Sequence, residues 1–143
     1  MKKKVLIFDD DADILEVCAI VLETNGFEVI TQANCEDLLR KVLDCGPDVV
    51  LMDNKIPPVG GIAATREIKA APAHRDLPIV YFSANQDIAR LASEAGADLY
   101  IEKPFDLDEL VLLLRRASAG NSKPFQNDGR SPAVSENGLD AVG

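Results

Sequence analysis

The stretch DVVLMDNKIPPVGG, residues 48–61, runs four apolar residues straight into an aspartate and then into a loop. Val49, Val50, Leu51 and Met52 leave a strand no side for water. A strand with that pattern is a central one in a parallel sheet covered on both faces. Its last apolar residue is followed by Asp53, and "NKIPPVGG" (54–61) reads as a loop from its prolines and glycines. Parallel neighbours cannot be joined by a hairpin, so crossover helices are expected on either side.

They are legible in both directions. Toward the N-terminus, "VLIF" (Val5–Phe8) reads as a strand. It is followed by a helix whose apolar residues recur as Ile14, Val17, Cys18, Val21 and Leu22, and Asn25-Gly26 ends that helix. "FEVITQA" (27–33) is mixed in polarity and reads as an edge strand. Asn34 is placed to cap a helix with Leu38, Leu39, Val42 and Leu43 inward, broken by Gly46-Pro47. Toward the C-terminus follow a helix over 62–71, a strand over 77–82, a helix over 87–95 stopped by Gly96, and a strand over 99–102. A final helix is capped by Asp106, with Glu109 at its third position, and runs to Ala117. Strand–helix alternation of this kind predicts an α/β fold: a doubly wound five-stranded parallel sheet in the order 2-1-3-4-5.

The chain has 143 residues, 47% of them hydrophobic, enough for one domain with a proper core. A domain over 1–117 is predicted. From Ser118 the composition turns to Ser, Gly, Asn and Pro, which predicts a disordered tail or linker over 118–143. A formal net charge of −9 argues against direct binding to nucleic acid or to a membrane surface. No stretch is long enough to span a bilayer, and "MKKK" is followed by too short an apolar run for a signal peptide. Three unclustered cysteines, Cys18, Cys35 and Cys45, fit neither a disulfide framework nor a zinc site and suggest a reducing cytoplasm. Lys2, Lys3 and Lys4 read as a solubilising cluster, and His74 as a solvated loop residue.

Ligands of open parallel sheets bind beyond the carboxyl ends of the strands. Asp9, Asp10 and Asp11 follow the first strand, Asp53 the third, Ser83 the fourth and Lys103 the fifth, and the order 2-1-3-4-5 brings them to one rim. Adjacent carboxylates repel, and burying one without compensation is costly. A divalent cation relieves both problems, and carboxylate oxygens suit Mg2+. One carboxylate can then attack phosphorus to give an aspartyl phosphate, with the cation and an ammonium offsetting the phosphoryl charge. Asp9, Asp10, Asp53, Ser83 and Lys103 supply that set. Asp11 and Asp13 are better read as serving the first turn of the first helix.

The acidic pair Asp9-Asp10 after "VLIF", "LMDNKIPPVGG" around Asp53, "IVYFSA" ending in Ser83-Ala84, and "YIEKPF" with Lys103-Pro104 are motifs of a known family. Over about residues 3–117 the sequence resembles the receiver domain of bacterial two-component response regulators, a flavodoxin-like fold. The resemblance implies that Asp53 is the phosphoacceptor. It further implies that Asp10, Asp53 and the backbone carbonyl of Lys55 hold Mg2+, with Asp9 acting through a metal-bound water. Ser83 would bond the phosphoryl group on activation, Lys103 would pair with it, and Tyr100 would be the switch aromatic. The Lys103-Pro104 bond would be cis, and Lys55 and Asn85 would tune the lifetime of the phosphoryl group. Such a domain is no conventional enzyme, although it catalyses its own phosphorylation and dephosphorylation. The implied partners are a sensor histidine kinase or histidine phosphotransfer protein, and a downstream protein that reads the helix 4–strand 5–helix 5 face of a monomer or phosphorylation-dependent dimer. With no second domain legible in the chain, signalling through a partner protein is expected.

Two other readings stay open. "FDDDAD" also fits the start of haloacid-dehalogenase-type phosphatases, with Asp9 as nucleophile and Asp11 as acid/base. That reading wants an acidic pair on a strand after the lysine, whereas Asp106 and Asp108 fall at a helix start. A degenerate receiver serving only as a binding module is the third; the intact acids, Ser83 and Lys103 argue against it.

Overall fold

The computed structural model describes residues 2–120. Five strands form one sheet: β1 (Lys4–Phe8), β2 (Glu28–Gln32), β3 (Val49–Asp53), β4 (Ile79–Ser83) and β5 (Leu99–Glu102). Every pairing is parallel and the order is β2-β1-β3-β4-β5. The helices between and after them are α1 (Ala12–Thr24), α2 (Leu38–Cys45), α3 (Gly61–Ala70), α4 (Ile88–Ala95) and α5 (Leu107–Ser118), with a short 3-10 turn at Pro72–His74. The doubly wound sheet expected from the alternation is what forms.

The period-two geometry of the strands splits the core in two. Val5, Ile7, Val49, Leu51, Val80, Phe82, Leu99 and Ile101 pack toward α1 and α5. Leu6, Phe8, Val50, Met52, Ile79 and Tyr81 pack toward α2, α3 and α4. Every residue of β3 and β4 is buried, as their uninterrupted apolar runs require. Each fully buried aliphatic side chain contributes about 1.5–3 kcal/mol, and truncating one such as Leu51 to alanine costs about 2–5 kcal/mol.

Several local expectations are corrected. Asn34 does not cap α2: its Oδ1 accepts from the Glu36 N–H at 3.0 Å and from Lys41 Nζ at 2.8 Å. This local turn consumes the capping oxygen. The helix starts later, after Asp37, whose backbone is left-handed (φ 54°) and whose side chain makes no cap bond. Leu43 and Val17 are 68% and 46% exposed, since only Leu38 and Val42 of α2 and Cys18 and Leu22 of α1 are fully covered. Lys4 belongs to β1 rather than to a solvated cluster, and its Nζ donates to the Cys45 carbonyl at 2.8 Å. His74 closes the 3-10 turn and is half-buried. Helix α5 runs one residue into the segment predicted as tail; 121–143 lie outside the described residues. Among the described residues no helix is long and apolar enough to cross a membrane.

Candidate functional site

Register places the acids. Phe8 of β1 pairs with Met52 of β3, so Asp9 and Asp53 are the next residues on adjacent strands. Asp53 pairs with Phe82 and Ser83 with Glu102, which sets Ser83 and Lys103 one step further along the same rim. Strand alternation directs Asp9, Asp53 and Lys103 to the α1/α5 face, in line with Ile7, Leu51 and Ile101.

Asp9 and Asp53 are buried, at 1% and 5% exposure, while Asp10 is open to solvent. One carboxylate oxygen from each of the three lies within 4.8 Å of the others. Lys103 bridges the buried pair: its Nζ donates to Asp9 Oδ2 and to Asp53 Oδ1, each at 2.9 Å. The ammonium also stands 4.4 Å from the centre of the Phe82 ring, which itself packs against Phe105 with ring centres 6.2 Å apart. The remaining oxygens of the two buried acids accept backbone N–H bonds, Asp9 Oδ1 from Asp11 at 2.8 Å and Asp53 Oδ2 from Lys55 at 3.1 Å.

This arrangement perturbs the titration of its members. Burial raises the Asp9 pKa and the Asp53 charge adds to it, against the pull of Lys103 and the Asp11 N–H. Burial alone would lower the Lys103 pKa, but its bonds to Asp9 and Asp53 outweigh that and leave it raised. Three carboxylates against one ammonium leave an excess of negative charge at a half-open rim. Oxygen-only ligands with room for water are the chemistry of Mg2+, so the residues present fit such an ion.

Ser83 is buried, and its Oγ accepts from the Asn85 N–H at 3.0 Å. Tyr100 is half-buried on the α3/α4 face. The Lys103-Pro104 bond is cis, and so is Pro57-Pro58. Asp11 and Asp13 take the helical roles expected of them: Asp11 Oδ1 caps α1 by accepting from Asp13 at 2.9 Å and Ile14 at 3.3 Å, and Asp13 sits in the first turn. Asp106 caps α5 in the same way, accepting from Asp108 and Glu109. With Asp11 held as a cap and no second acidic pair on a strand among the described residues, the haloacid-dehalogenase arrangement is not formed there.

A receiver-domain family model, the response regulator receiver domain, matches residues 5–115. The chain belongs to the response regulator receiver domains. Among curated relatives, this receiver is 36% identical over 127 residues to the phosphate regulon transcriptional regulatory protein PhoB of Pseudomonas aeruginosa, covering 85% of this chain and 56% of that protein. It is 37% identical over 117 residues to the DNA-binding response regulator MtrA of Mycobacterium leprae, covering 80% of this chain and 51% of that one. The receiver thus spans about half the length of the curated relatives it matches. A solved structure of a putative response regulator from Chloroflexus aurantiacus superposes with a TM-score of 0.78 at 31% identity, over 83% of this chain and 99% of that chain.

Sequence reasoning passed over two residues that support the rim. Tyr81, fully buried in β4, donates from its hydroxyl to Oδ1 of Asn54 through a short hydrogen bond. A tyrosine in the middle of a strand buried along its whole length was the available signal, because a buried phenol needs a partner. Cys35 carries no sequence signal beyond its place among three unclustered cysteines. It donates from both N–H (2.8 Å) and thiol (3.2 Å) to the Pro57 carbonyl, tying the segment after β2 to the loop after Asp53.

Proposed function

We propose that this receiver accepts a phosphoryl group onto Asp53 from the phosphohistidine of a sensor kinase or phosphotransfer protein, with Mg2+ as cofactor. A single observation carries the reading: one ammonium, Lys103, is shared by two buried carboxylates, with a third carboxylate beside them. A stability-driven fold has no use for such a rim.

A carboxylate oxygen of Asp53 attacks phosphorus as the phosphorus–nitrogen bond of the donor breaks. The bonding pair leaves with the imidazole, and Asp53 becomes an acyl phosphate. Asp10, Asp53 and the Lys55 carbonyl would hold Mg2+, with Asp9 acting through water; when bound, the ion supplies charge neutralisation to the phosphoryl oxygens. Lys103 moves from the free Asp53 oxygen to a phosphoryl oxygen, keeping its bond to Asp9. The bond that Ser83 accepts from Asn85 uses an oxygen lone pair, so its hydroxyl proton can be donated to the phosphoryl group. Tyr100 follows Ser83 as the switch, and the α4–β5–α5 face changes its equilibrium between two states. A downstream protein reads that face in the cytoplasm, as a partner of a monomer or of a phosphorylation-dependent dimer, and the receiver itself makes no contact with nucleic acid. The unit over 1–117 performs this chemistry, and 118–143 serve as tail or linker.

The test is labelling by a small phosphodonor such as acetyl phosphate in the presence of Mg2+. Wild type takes up one phosphoryl group per chain and Asp53→Asn takes up none. Equal labelling of the two would remove Asp53 from its role, and multiple-turnover release of phosphate from monoesters would favour a hydrolase.

A further inference from the structure

Asn54, the residue after the phosphoacceptor, is fixed from three sides. Its N–H donates to the Phe82 carbonyl at 3.2 Å, its carbonyl accepts from Gly61 at 2.8 Å, and its side-chain oxygen accepts from the Tyr81 hydroxyl. Tyr81 is wholly inaccessible to water, so a hydroxyl without that partner would carry an uncompensated desolvation cost. Burial pushes its pKa up to about 12, so the group stays a donor throughout the working range. The start of α3 closes over the same point: a Cβ on Gly61 would come within 2.9 Å of the Tyr81 oxygen and 3.0 Å of the Asn54 Cα. The segment held in this way leads directly to Lys55, whose N–H already orients Asp53 Oδ2.

We propose that the Tyr81 hydroxyl, acting through Asn54, is a positioning group for the Asp53–Lys55 turn and thereby sets the affinity of that turn for a divalent cation. The proposal rests on the reading of this rim as a Mg2+ site. Tyr81 touches neither the ion nor the phosphoryl group. It holds in advance the backbone whose carbonyl and carboxylate would otherwise have to be ordered at the moment of binding, and partners of this kind tune metal affinity without ligating. Tyr81 also stands opposite Tyr100 in the β4–β5 register, on the same face of the sheet. The clasp therefore runs beside the switch aromatic.

The experiment titrates the full chain with Mn2+, followed by loss of the free-ion paramagnetic resonance signal, with Mg2+ as competitor and no phosphodonor present. Tyr81→Phe keeps the ring and deletes only the hydroxyl. Its dissociation constants for both ions should rise about fivefold, the size of one neutral hydrogen bond. Its labelling rate at saturating Mg2+ should stay at the wild-type level, a split that general loss of stability would not produce. Asn54→Ala should reproduce the shift, and the double variant should be no worse than either single one. Unchanged ion affinity in a folded Tyr81→Phe, or additive effects in the double variant, would overturn the proposal. Should Tyr81→Phe fail to fold, Asn54→Ala decides alone by the same criterion. A wild-type chain that binds neither ion would instead defeat the Mg2+ reading beneath it, and the proposal would fall with that reading.

Discussion

The Lys103 ammonium stands 2.9 Å from Oδ1 of Asp53, the residue proposed to take the phosphoryl group. The same ammonium is 2.9 Å from Asp9, so one cation serves two buried anions. Without a divalent ion the rim is held together by Lys103 against the repulsion of its acids.

Opposite effects on stability follow from that imbalance. Lys103→Met leaves Asp9 and Asp53 buried without their cation and should destabilise the metal-free protein by about 3 kcal/mol. Asp53→Asn removes one of two like charges and should stabilise it by about 1 kcal/mol. Urea unfolding in EDTA measures both, and millimolar Mg2+ should recover part of the Lys103→Met loss. The same sign for both substitutions would contradict the electrostatic account.

Asp9 carries the pH signature. Its folded pKa is raised above the ordinary 3.8, chiefly by burial and then by Asp53. Stability from a group raised in this way is fully present below 3.8 and is lost as pH rises through the folded value. Asp9→Asn does not titrate at that position. The stability of Asp9→Asn relative to wild type should therefore climb across that window and then level off. Urea midpoints of the two metal-free proteins, measured at closely spaced pH values, give the curve; a flat difference would refute it.

Gly61 is required for lack of space. A methyl group there meets the Tyr81 oxygen and the Asn54 Cα at 3.0 Å or less. Gly61→Ala should cost about 2 kcal/mol in urea unfolding and should weaken Mn2+ binding as well, because the displaced backbone is that of the turn after Asp53. Loss of stability with unchanged ion binding would separate Gly61 from the site.

The cysteines should differ in reactivity. Cys18 and Cys35 are buried, and burial pushes the Cys18 thiol up to about 11. Cys45 is half-buried, with its pKa also raised by burial. A chromogenic disulfide reagent at about pH 8 should modify at most Cys45 in the folded protein, slowly, and all three after unfolding. Rapid modification of Cys18 in the native state would contradict its packing beneath the rim.

Much of this was legible in the sequence because the main signals are short-range. Val49–Met52 announces a buried parallel strand whatever surrounds it, and the acids, Ser83 and Lys103 all lie at a strand end or within two residues past one. The start of α2 was not legible, because Asn34 had two competing uses for one oxygen and spent it on Glu36 and Lys41. Val17 and Leu43 lie on correct helical stripes, but which edge of a stripe is covered depends on helix placement over the sheet. The Tyr81–Asn54 clasp joins residues 27 apart and exists only through the β3–β4 register, which no local pattern encodes.

The central claim is that the phosphoryl group goes to Asp53 and to no other acid of the rim. Acetyl phosphate with Mg2+ should form an acyl phosphate that borohydride reduces, converting the modified aspartate to homoserine. Peptide mass spectrometry should then find homoserine at position 53, in a quantity that rises with labelling time and vanishes in EDTA. Homoserine at position 9 or 10, or at none of the three in a chain that binds Mg2+, would contradict the account.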